Sequence, residues 1–233
     1  MVYTQNWLGA RLYPIRVSLR PPVDPLIADF DFNFYTEFSP TIANQAAVDL
    51  SDALINEYAS NTYVSDPTNS YLSIYAPYYA SQTGGILCPT IANVRSVEMW
   101  VNYPVGEGYG QYFFDFRTGL SNGYWITADG GYGDNIGTGI QGGEVFANAD
   151  SLGVITDTQP AIAPFLAGNG WFQIVVNLTS SFTDDLAFFM RFTGEQGMPL
   201  NVAQVCAYNK VLTPAEILTL YNSKCSRYGL SPK

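Results

Sequence analysis

The chain has 233 residues, of which 47% are hydrophobic and 15% aromatic, and its formal net charge at pH 7 is −10. A chain of this length can bury a sizeable core, and its composition excludes a disordered protein. It contains no histidine, and Cys88, Cys206 and Cys225 lie far apart, so we expect no zinc site, no histidine-dependent nucleophile and no disulfide.

The first 26 residues are predicted to form an extended docking arm. Residues 1–22 contain three arginines and no acid, so they carry +3 and leave −13 on the rest of the chain. Four prolines punctuate the arm, and apolar residues alternate with polar ones between positions 15 and 20, as in a half-buried strand. The alternative is that this segment adds a strand to the core sheet. The candidate docking residues are Arg11, Ile15, Arg16, Val17, Leu19 and Arg20.

The acidic body predicts that the protein repels nucleic acid. We see no positively charged start followed by an apolar run, and no stretch of about 18 apolar residues. We therefore expect neither a signal peptide nor a membrane span.

The remaining sequence reads as short strands separated by turns rich in Gly, Asn and Asp. Alternating or apolar runs predict strands over residues 29–34, 71–75, 97–102, 111–117, 123–127, 171–178, 186–192 and 203–208. The pattern predicts one antiparallel sandwich, with apolar side chains inward and polar ones outward.

A helix is predicted over residues 213–224. Thr213, Pro214 and Glu216 have the spacing of a capping box with proline at the first helical position. An apolar stripe follows at helical spacing, and two basic residues lie near the C-terminus, where the helix dipole favours cations. The stripe consists of Ile217, Leu220, Tyr221 and Cys225, and the basic residues are Lys224 and Arg227.

The succession "DFDFN", "VDLSD", "SYLSIY", "SVEMWVNY", "GGEVFANAD", "GWFQIVVNL" and "AQVCAYNKVLTPAEILTLY" resembles the concanavalin A-like, laminin G-like jelly-roll domain, in the form frequent in phage and giant-virus particle proteins. The likeness covers roughly residues 27–223, and residues 207–217 are its most specific part. It implies an all-β antiparallel β-sandwich over residues 27–233, with Trp100 and Trp171 in or beside the core. It also implies a short C-terminal helix packed against the sandwich edge. "SIYAPY" lacks the usual Asp-Gly of the pattern, and residues 1–26 fall outside it.

Glycoside hydrolysis is a further candidate function, because related jelly rolls include glycan hydrolases. Such enzymes place two carboxylates about 5–10 Å apart, commonly on one strand with acids at alternate positions. Asp29 and Asp31 share a face, but they match a structural strand of the resembling pattern, and Glu98 matches its "vE-W" strand. We therefore predict that the protein is not an enzyme.

Two further motifs favour structural roles. Gly137, Gly139 and Gly142 match the dinucleotide fingerprint, but a strand follows where a helix is required, so no cofactor is expected. The loop at residues 129–135 offers oxygen ligands for calcium, yet it lacks the acidic alternation and terminal Glu of a calcium loop. No metal is expected.

Carbohydrate binding is the main alternative function. Aromatic side chains lie in glycine-rich turns beside short polar groups, which is the composition of a sugar site. The candidate glycan-binding residues are Tyr109, Trp125, Asp129, Tyr132 and Asp134. The structural alternative is that half of the aromatic residues here face the core.

These observations, with the resemblance, predict a non-catalytic structural or surface protein of a virus particle, such as a minor capsid, decoration, or spike or fibre component. Its partners would be other virion proteins or copies of itself, with host-surface glycans as a further candidate. A lectin-like adhesion module in an extracellular location is the alternative.

Overall fold

A computed structural model describes residues 26–32, 41–42, 46, 53–55, 62–66, 68–74, 85–102, 111–116, 124–126, 143–154, 170–190 and 200–233, with backbone alone at residues 41–42, 53–55, 111 and 124–126. The strands are β1 (Leu26–Asp31), β2 (Thr41–Ile42), β3 (Ala53–Ile55), β4 (Thr62–Val64), β5 (Tyr71–Ile74), β6 (Ile86–Asn102), β7 (Gln111–Phe116), β8 (Tyr124–Ile126), β9 (Glu144–Ala147), β10 (Asp150–Val154), β11 (Trp171–Phe188) and β12 (Leu200–Tyr208). Helix α1 (Pro214–Lys224) and a 3-10 helix (Cys225–Tyr228) follow.

One layer, which we call the front sheet, has the strand order β10-β9-β11-β6-β12-β5-β4. Within it, residues 171–177 of β11 pair with residues 96–102 of β6. The other side of β6 pairs with β12, whose far side pairs with β5 at residues 200–202 and with β1 at residues 204–208. All of these pairings are antiparallel, as the sequence predicts.

The second layer, the back sheet, has the order β2-β3-β6-β11-β7-β8. It uses residues 86–94 of β6 and residues 182–188 of β11, so these two long strands belong to both sheets. Three register shifts interrupt the β6–β11 pairing between residues 177 and 186. Because bulges bend and twist a strand, they let β6 and β11 pass from one layer into the other.

The length of β11 differs from the prediction of two strands at residues 171–178 and 186–192. A single strand runs from Trp171 to Phe188 and ends where Phe189 adopts a φ of 63°. The mainly polar run at residues 179–183 resembles a turn in sequence, but it is the bulged middle of the strand, exposed except at Phe182, which packs against the main core. Likewise, the predicted strand at residues 97–102 is the second half of β6.

The main core lies between the two sheets and takes apolar side chains from both. Val97, Met99 and Val101 of β6 face it from the front sheet. Phe114 and Phe116 of β7 face it from the back sheet. One continuous cluster across the two layers is the arrangement of a β-sandwich, and this confirms the predicted fold class.

Helix α1 begins as its sequence predicts. Thr213 is the N-cap, its hydroxyl accepts from Glu216 N, and the Glu216 carboxylate accepts from Thr213 N. Leu212 before the cap and Ile217 in the next turn share an apolar cluster, which is the contact of a hydrophobic staple. The 3-10 helix ends at Gly229, where a φ of 71° suits glycine.

The helix packs on the outer face of the front sheet, and this corrects the predicted position at the sandwich edge. Ile217 and Leu220 lie against Val175 of β11 and Tyr208 of β12, while Tyr221 lies against Trp100 of the central strand β6. A helix with a wide apolar stripe buries more surface on a sheet face than along an edge. Within the described residues, no helix is both long and apolar enough to cross a membrane.

Candidate functional site

The most elaborate polar arrangement of the described residues lies between helix α1 and the front sheet. Its centre is Glu98, whose side chain is wholly inaccessible to solvent. Alternation along β6 explains the position, because Val97 and Met99 face the main core and Glu98 and Trp100 must face the opposite side. That side is the one covered by the helix.

Glu98 receives hydrogen bonds from four side chains. Lys224 Nζ lies 2.9 Å from Oε1 and 3.0 Å from Oε2. Trp100 Nε1 and Gln173 Nε2 each donate to Oε1 at 2.9 Å, and Tyr208 OH donates to Oε2 at 2.6 Å. Both carboxylate oxygens are therefore fully engaged by protein groups.

This environment sets the ionisation of the carboxylate. Burial by itself raises the pKa of Glu98, but the charge of Lys224 and the hydrogen bonds from Tyr208, Gln173 and Lys224 outweigh it and lower the pKa to about 2. Burial and the neighbouring Glu98 charge raise the pKa of Tyr208 well above its ordinary value. At neutral pH the pair is thus a carboxylate that accepts from a neutral phenol.

A second buried acid anchors the 3-10 helix. Arg227 Nη1 and Nη2 donate to the two oxygens of Asp31 at 3.0 and 2.8 Å, a two-point contact of the strong kind. Arg227 Nε also donates to Asn69 at 3.3 Å. Asp29, on the same face of β1, accepts from Gln204 Nε2 at 2.7 Å. Asp29 and Asp31 are both buried, on the shared face that the sequence predicts.

Aromatic rings complete the interface beside Glu98. Tyr228 stacks on Trp100 with ring centroids 4.1 Å apart and planes 11° apart, and Tyr221 lies near the same indole at 6.0 Å. Trp171 contacts Tyr228 at 5.4 Å. Trp100 is fully buried and Trp171 is partly buried beside this cluster, which confirms the predicted positions of both tryptophans.

The connection into the helix is also fixed by buried polar groups. Asn177 Nδ2 donates to Leu212 O at 2.8 Å, and Leu212 N donates back to Asn177 Oδ1 at 3.2 Å. Ser96 Oγ accepts from Leu212 N at 3.1 Å. The segment between β12 and α1 is therefore tied to β6 and β11 before the helix begins.

The sequence identified the acids of this interface but missed their partners. Their positions near the C-terminus predict that Lys224 and Arg227 are cations favoured by the helix dipole, yet both side chains contact buried carboxylates. A signal was available, because Lys224 lies three residues after Tyr221 and seven after Ile217, on the same apolar stripe. A lysine in such a stripe indicates a buried acid opposite.

The structure does not describe the side chains of the other residues that the sequence predicts as sites. Tyr109, Asp129, Tyr132 and Asp134 lie outside them, and Trp125 belongs to β8, where only the backbone is described. The candidate docking residues of the arm, the loop at residues 129–135 and the glycine motif at residues 137–142 also lie outside. These predictions stand untested by the structure.

Cysteine and acid positions in the described chain show no metal centre. Cys88, Cys206 and Cys225 are buried with free thiols. Within the described ranges, no group of three or more Cys, Asp or Glu side chains is placed to hold a metal ion. Burial raises the pKa of the Cys88 thiol, so this group stays protonated in the core.

Comparison with known proteins finds similarity in structure, not in sequence. No protein-family model matches the sequence, and no curated protein is significantly similar to it. Trypanosoma rangeli sialidase in complex with sialic acid matches with a TM-score of 0.53 and 13% identity over 87% of this chain and 33% of the sialidase. A mutant of HCR/D matches with a TM-score of 0.52 and 12% identity over 88% of this chain and 54% of that one.

A third structure has a lower score. Domain 4 of AbnA, a GH43 extracellular arabinanase from Geobacillus stearothermophilus, in complex with arabinotriose, has a TM-score of 0.45 and 13% identity over 84% of this chain and 97% of that domain. At such identities the likeness shows the β-sandwich fold alone. This chain spans about half of the HCR/D chain and a third of the sialidase.

Proposed function

We propose that the protein is a non-catalytic recognition module that binds carbohydrate in the manner of a lectin. The non-catalytic part of the proposal rests on the environment of the three acids that are candidates for glycoside hydrolysis. Glu98, Asp29 and Asp31 are buried, and each accepts hydrogen bonds from neighbouring side chains. A glycosidase needs carboxylates that reach the scissile bond, whereas these fasten the helix and strand β1 to the front sheet.

The carbohydrate part rests on the fold and on the composition of the loops. The sialidase neighbour holds sialic acid, although its likeness over a third of its length extends to the fold alone. In this chain Tyr109, Trp125 and Tyr132 lie in or near glycine-rich turns with Asp129 and Asp134 close in sequence. Aromatic faces beside short polar groups suit the apolar and hydroxyl surfaces of a sugar.

The place in which the module works is a second part of the proposal. The resemblance to jelly-roll domains of virus particles supports a module displayed on a virion, attached through residues 1–26. An extracellular adhesion protein is the alternative location. Mass spectrometry of purified particles from the source of the sequence would distinguish the two, because a virion component co-purifies with the capsid through a density gradient.

A glycan array with the full-length protein tests the function. We expect binding to at least one oligosaccharide and no release of reducing sugar from any polysaccharide. A blank array would contradict carbohydrate binding. Hydrolysis that disappears in Asp29→Asn, Asp31→Asn or Glu98→Gln would contradict the non-catalytic assignment. Loss of binding in the double variant Trp125→Ala/Tyr132→Ala would place the site on the predicted loops.

A further inference from the structure

A row of neutral polar side chains crosses the front sheet beside the C-terminal segment. The strand register aligns Trp171 with Asn102, Asn102 with Asn201, Asn201 with Ser73, and Ser73 with Thr62. These five residues, which we call the polar row, come from five adjacent strands, β11, β6, β12, β5 and β4. At roughly 4.8 Å between strands, the row is about 19 Å long.

The polar row lies on the outer face of the front sheet, as the helix does. Asn102 follows Trp100 by two positions and Trp171 precedes Gln173 by two, so all four share a face. Thr62 is exposed, and the other members of the row are partly exposed. Helix α1 and the 3-10 helix thus leave these five residues at least partly exposed.

The polar groups of the row have no partners within the protein as described. The side chains of Asn102, Asn201, Ser73 and Thr62 make no hydrogen bond in the described part of the chain. Amides elsewhere on this face differ, because Asn177, Gln173 and Gln204 each donate a side-chain hydrogen bond from the amide nitrogen. Partly exposed amides and hydroxyls that point from a rigid sheet are donors and acceptors available to a ligand.

An aromatic platform lies beside the middle of the row, because the rings of Trp171 from β11 and Tyr71 from β5 meet over the two strands between them. Trp171 is held between Tyr71, whose ring centroid lies 5.5 Å away at 66°, and Tyr228 at 5.4 Å. Trp171 and Tyr71 are both partly exposed. A supported aromatic ring beside free amides is the combination that holds the apolar face of a sugar ring and its hydroxyls.

Charge decides the class of sugar. The row contains no ionisable side chain, and the nearby Arg227 is neutralised by its two contacts with Asp31. The chain as a whole is acidic, with a formal charge of −10. A neutral sugar has no charge to desolvate when it binds the polar row. An anionic sugar would lose hydration of its charge and be repelled by the acidic protein, with no unpaired cation in the row to compensate.

We infer that the polar row is a binding site for a neutral oligosaccharide, with Trp171 as the stacking platform and Asn102 and Asn201 as the central hydrogen-bonding groups. This inference rests on the proposed function and gives it a ligand class and a set of residues different from those predicted in the loops. The length of the row suits a short oligosaccharide better than a monosaccharide.

The test is calorimetric titration of the full-length protein with cellotetraose, xylotetraose, mannotetraose and maltotetraose, and with sialyllactose as the anionic probe. We expect at least one neutral tetrasaccharide to bind and sialyllactose not to bind. The double variant Asn102→Ala/Asn201→Ala should weaken the neutral sugar about tenfold or more, the effect of about 1.4 kcal/mol of lost hydrogen bonding. Asn209→Ala, an exposed asparagine off the row, is the matched control and should bind as the parent does.

A second variant protects the test from a folding defect. Thr62→Arg adds bulk and charge at the exposed end of the row without removing a buried group, and it should weaken binding of the same sugar. Binding of a neutral sugar that survives all row variants but is lost in Trp125→Ala/Tyr132→Ala would overturn this inference and leave the proposed function intact. Absence of binding to every probe and to the glycan array would overturn both.

Discussion

A single buried glutamate organises the contact between the helix and the sheet. A carboxylate taken out of water costs several kcal/mol unless charge and hydrogen bonds replace its hydration. Glu98 receives both, from Lys224 on the helix and from Trp100, Gln173 and Tyr208 on three strands. The arrangement favours one register of α1 on the sheet, because sliding the helix along the sheet would separate Lys224 from this acid.

Removing one member of this ion pair should be strongly destabilising. Lys224→Met leaves the Glu98 charge buried without its cation, and we expect a loss of about 3–5 kcal/mol in the free energy of unfolding. Glu98→Gln should lower the free energy of unfolding by a similar amount, since it leaves the buried Lys224 ammonium without a carboxylate partner. Urea denaturation of each variant gives the measurement. The double variant Glu98→Gln/Lys224→Met is the control, and it should be more stable than either single one; additive losses would contradict the coupling.

The same ion pair predicts that the protein loses stability at acidic pH. The pKa of Glu98 is lowered from 4.5 to about 2 in the folded protein, so the ionised group stabilises the fold above pH 4.5 and this stabilisation is lost as the pH falls toward 2. The span corresponds to roughly 3 kcal/mol. Melting temperatures measured from pH 6 to pH 2.5 should fall less steeply in Glu98→Gln/Lys224→Met than in the parent. Parallel curves would show that other groups govern acid unfolding.

At the scale of elements, the helix was predictable because its signals are local. Thr213, Pro214 and Glu216 lie within four residues, and the capping box depends on their spacing alone. Strands β6 and β11 were not, because their length depends on bulges and on pairing with each other across the chain. A polar run such as residues 179–183 has the composition of a turn, and only its partner strand makes it a bulged strand.

The helix cap gives a prediction at this scale. Thr213→Ala removes the hydroxyl that accepts from Glu216 N at 3.3 Å, and it should cost about 1 kcal/mol of stability. Thr219→Ala makes the same chemical change on the exposed face of α1 and is the matched control. That variant should be neutral or slightly stabilising, because alanine has the higher helix propensity. Chemical denaturation of both measures the difference, and equal losses would argue against a specific role of the cap.

At the scale of the whole molecule, the sandwich fold is predictable from the sequence, but the surfaces that the fold assembles are not. The fold class follows from alternation and turn residues, which recur along the chain. The polar row does not, because Thr62, Ser73, Asn102, Trp171 and Asn201 come from distant positions and only the register of five strands aligns them. Clusters of aromatic residues in glycine-rich loops are a recognisable sequence signal for a binding site, whereas single asparagines at strand ends are not.

Attachment is the remaining property of the whole molecule, and residues 1–22 are where we expect it. This segment carries +3 against −13 on the remainder, and its spaced prolines favour an extended chain. We propose that this segment pairs as a strand with a sheet edge of a neighbour through its main chain, and that Arg16 and Arg20 meet an acidic surface, which another copy of this protein can supply.

Deletion of residues 1–22 should therefore leave the melting temperature near that of the full chain and abolish oligomers or incorporation into particles. Sedimentation velocity and differential scanning calorimetry on the same samples measure the two properties separately. A full-length variant with Arg11→Glu, Arg16→Glu and Arg20→Glu is the matched control, because it keeps the chain and reverses its charge, and it should assemble poorly at low salt. A melting temperature that collapses on deletion would mean that the segment is a strand of the core sheet, since losing such a strand exposes apolar surface that the folded domain buries.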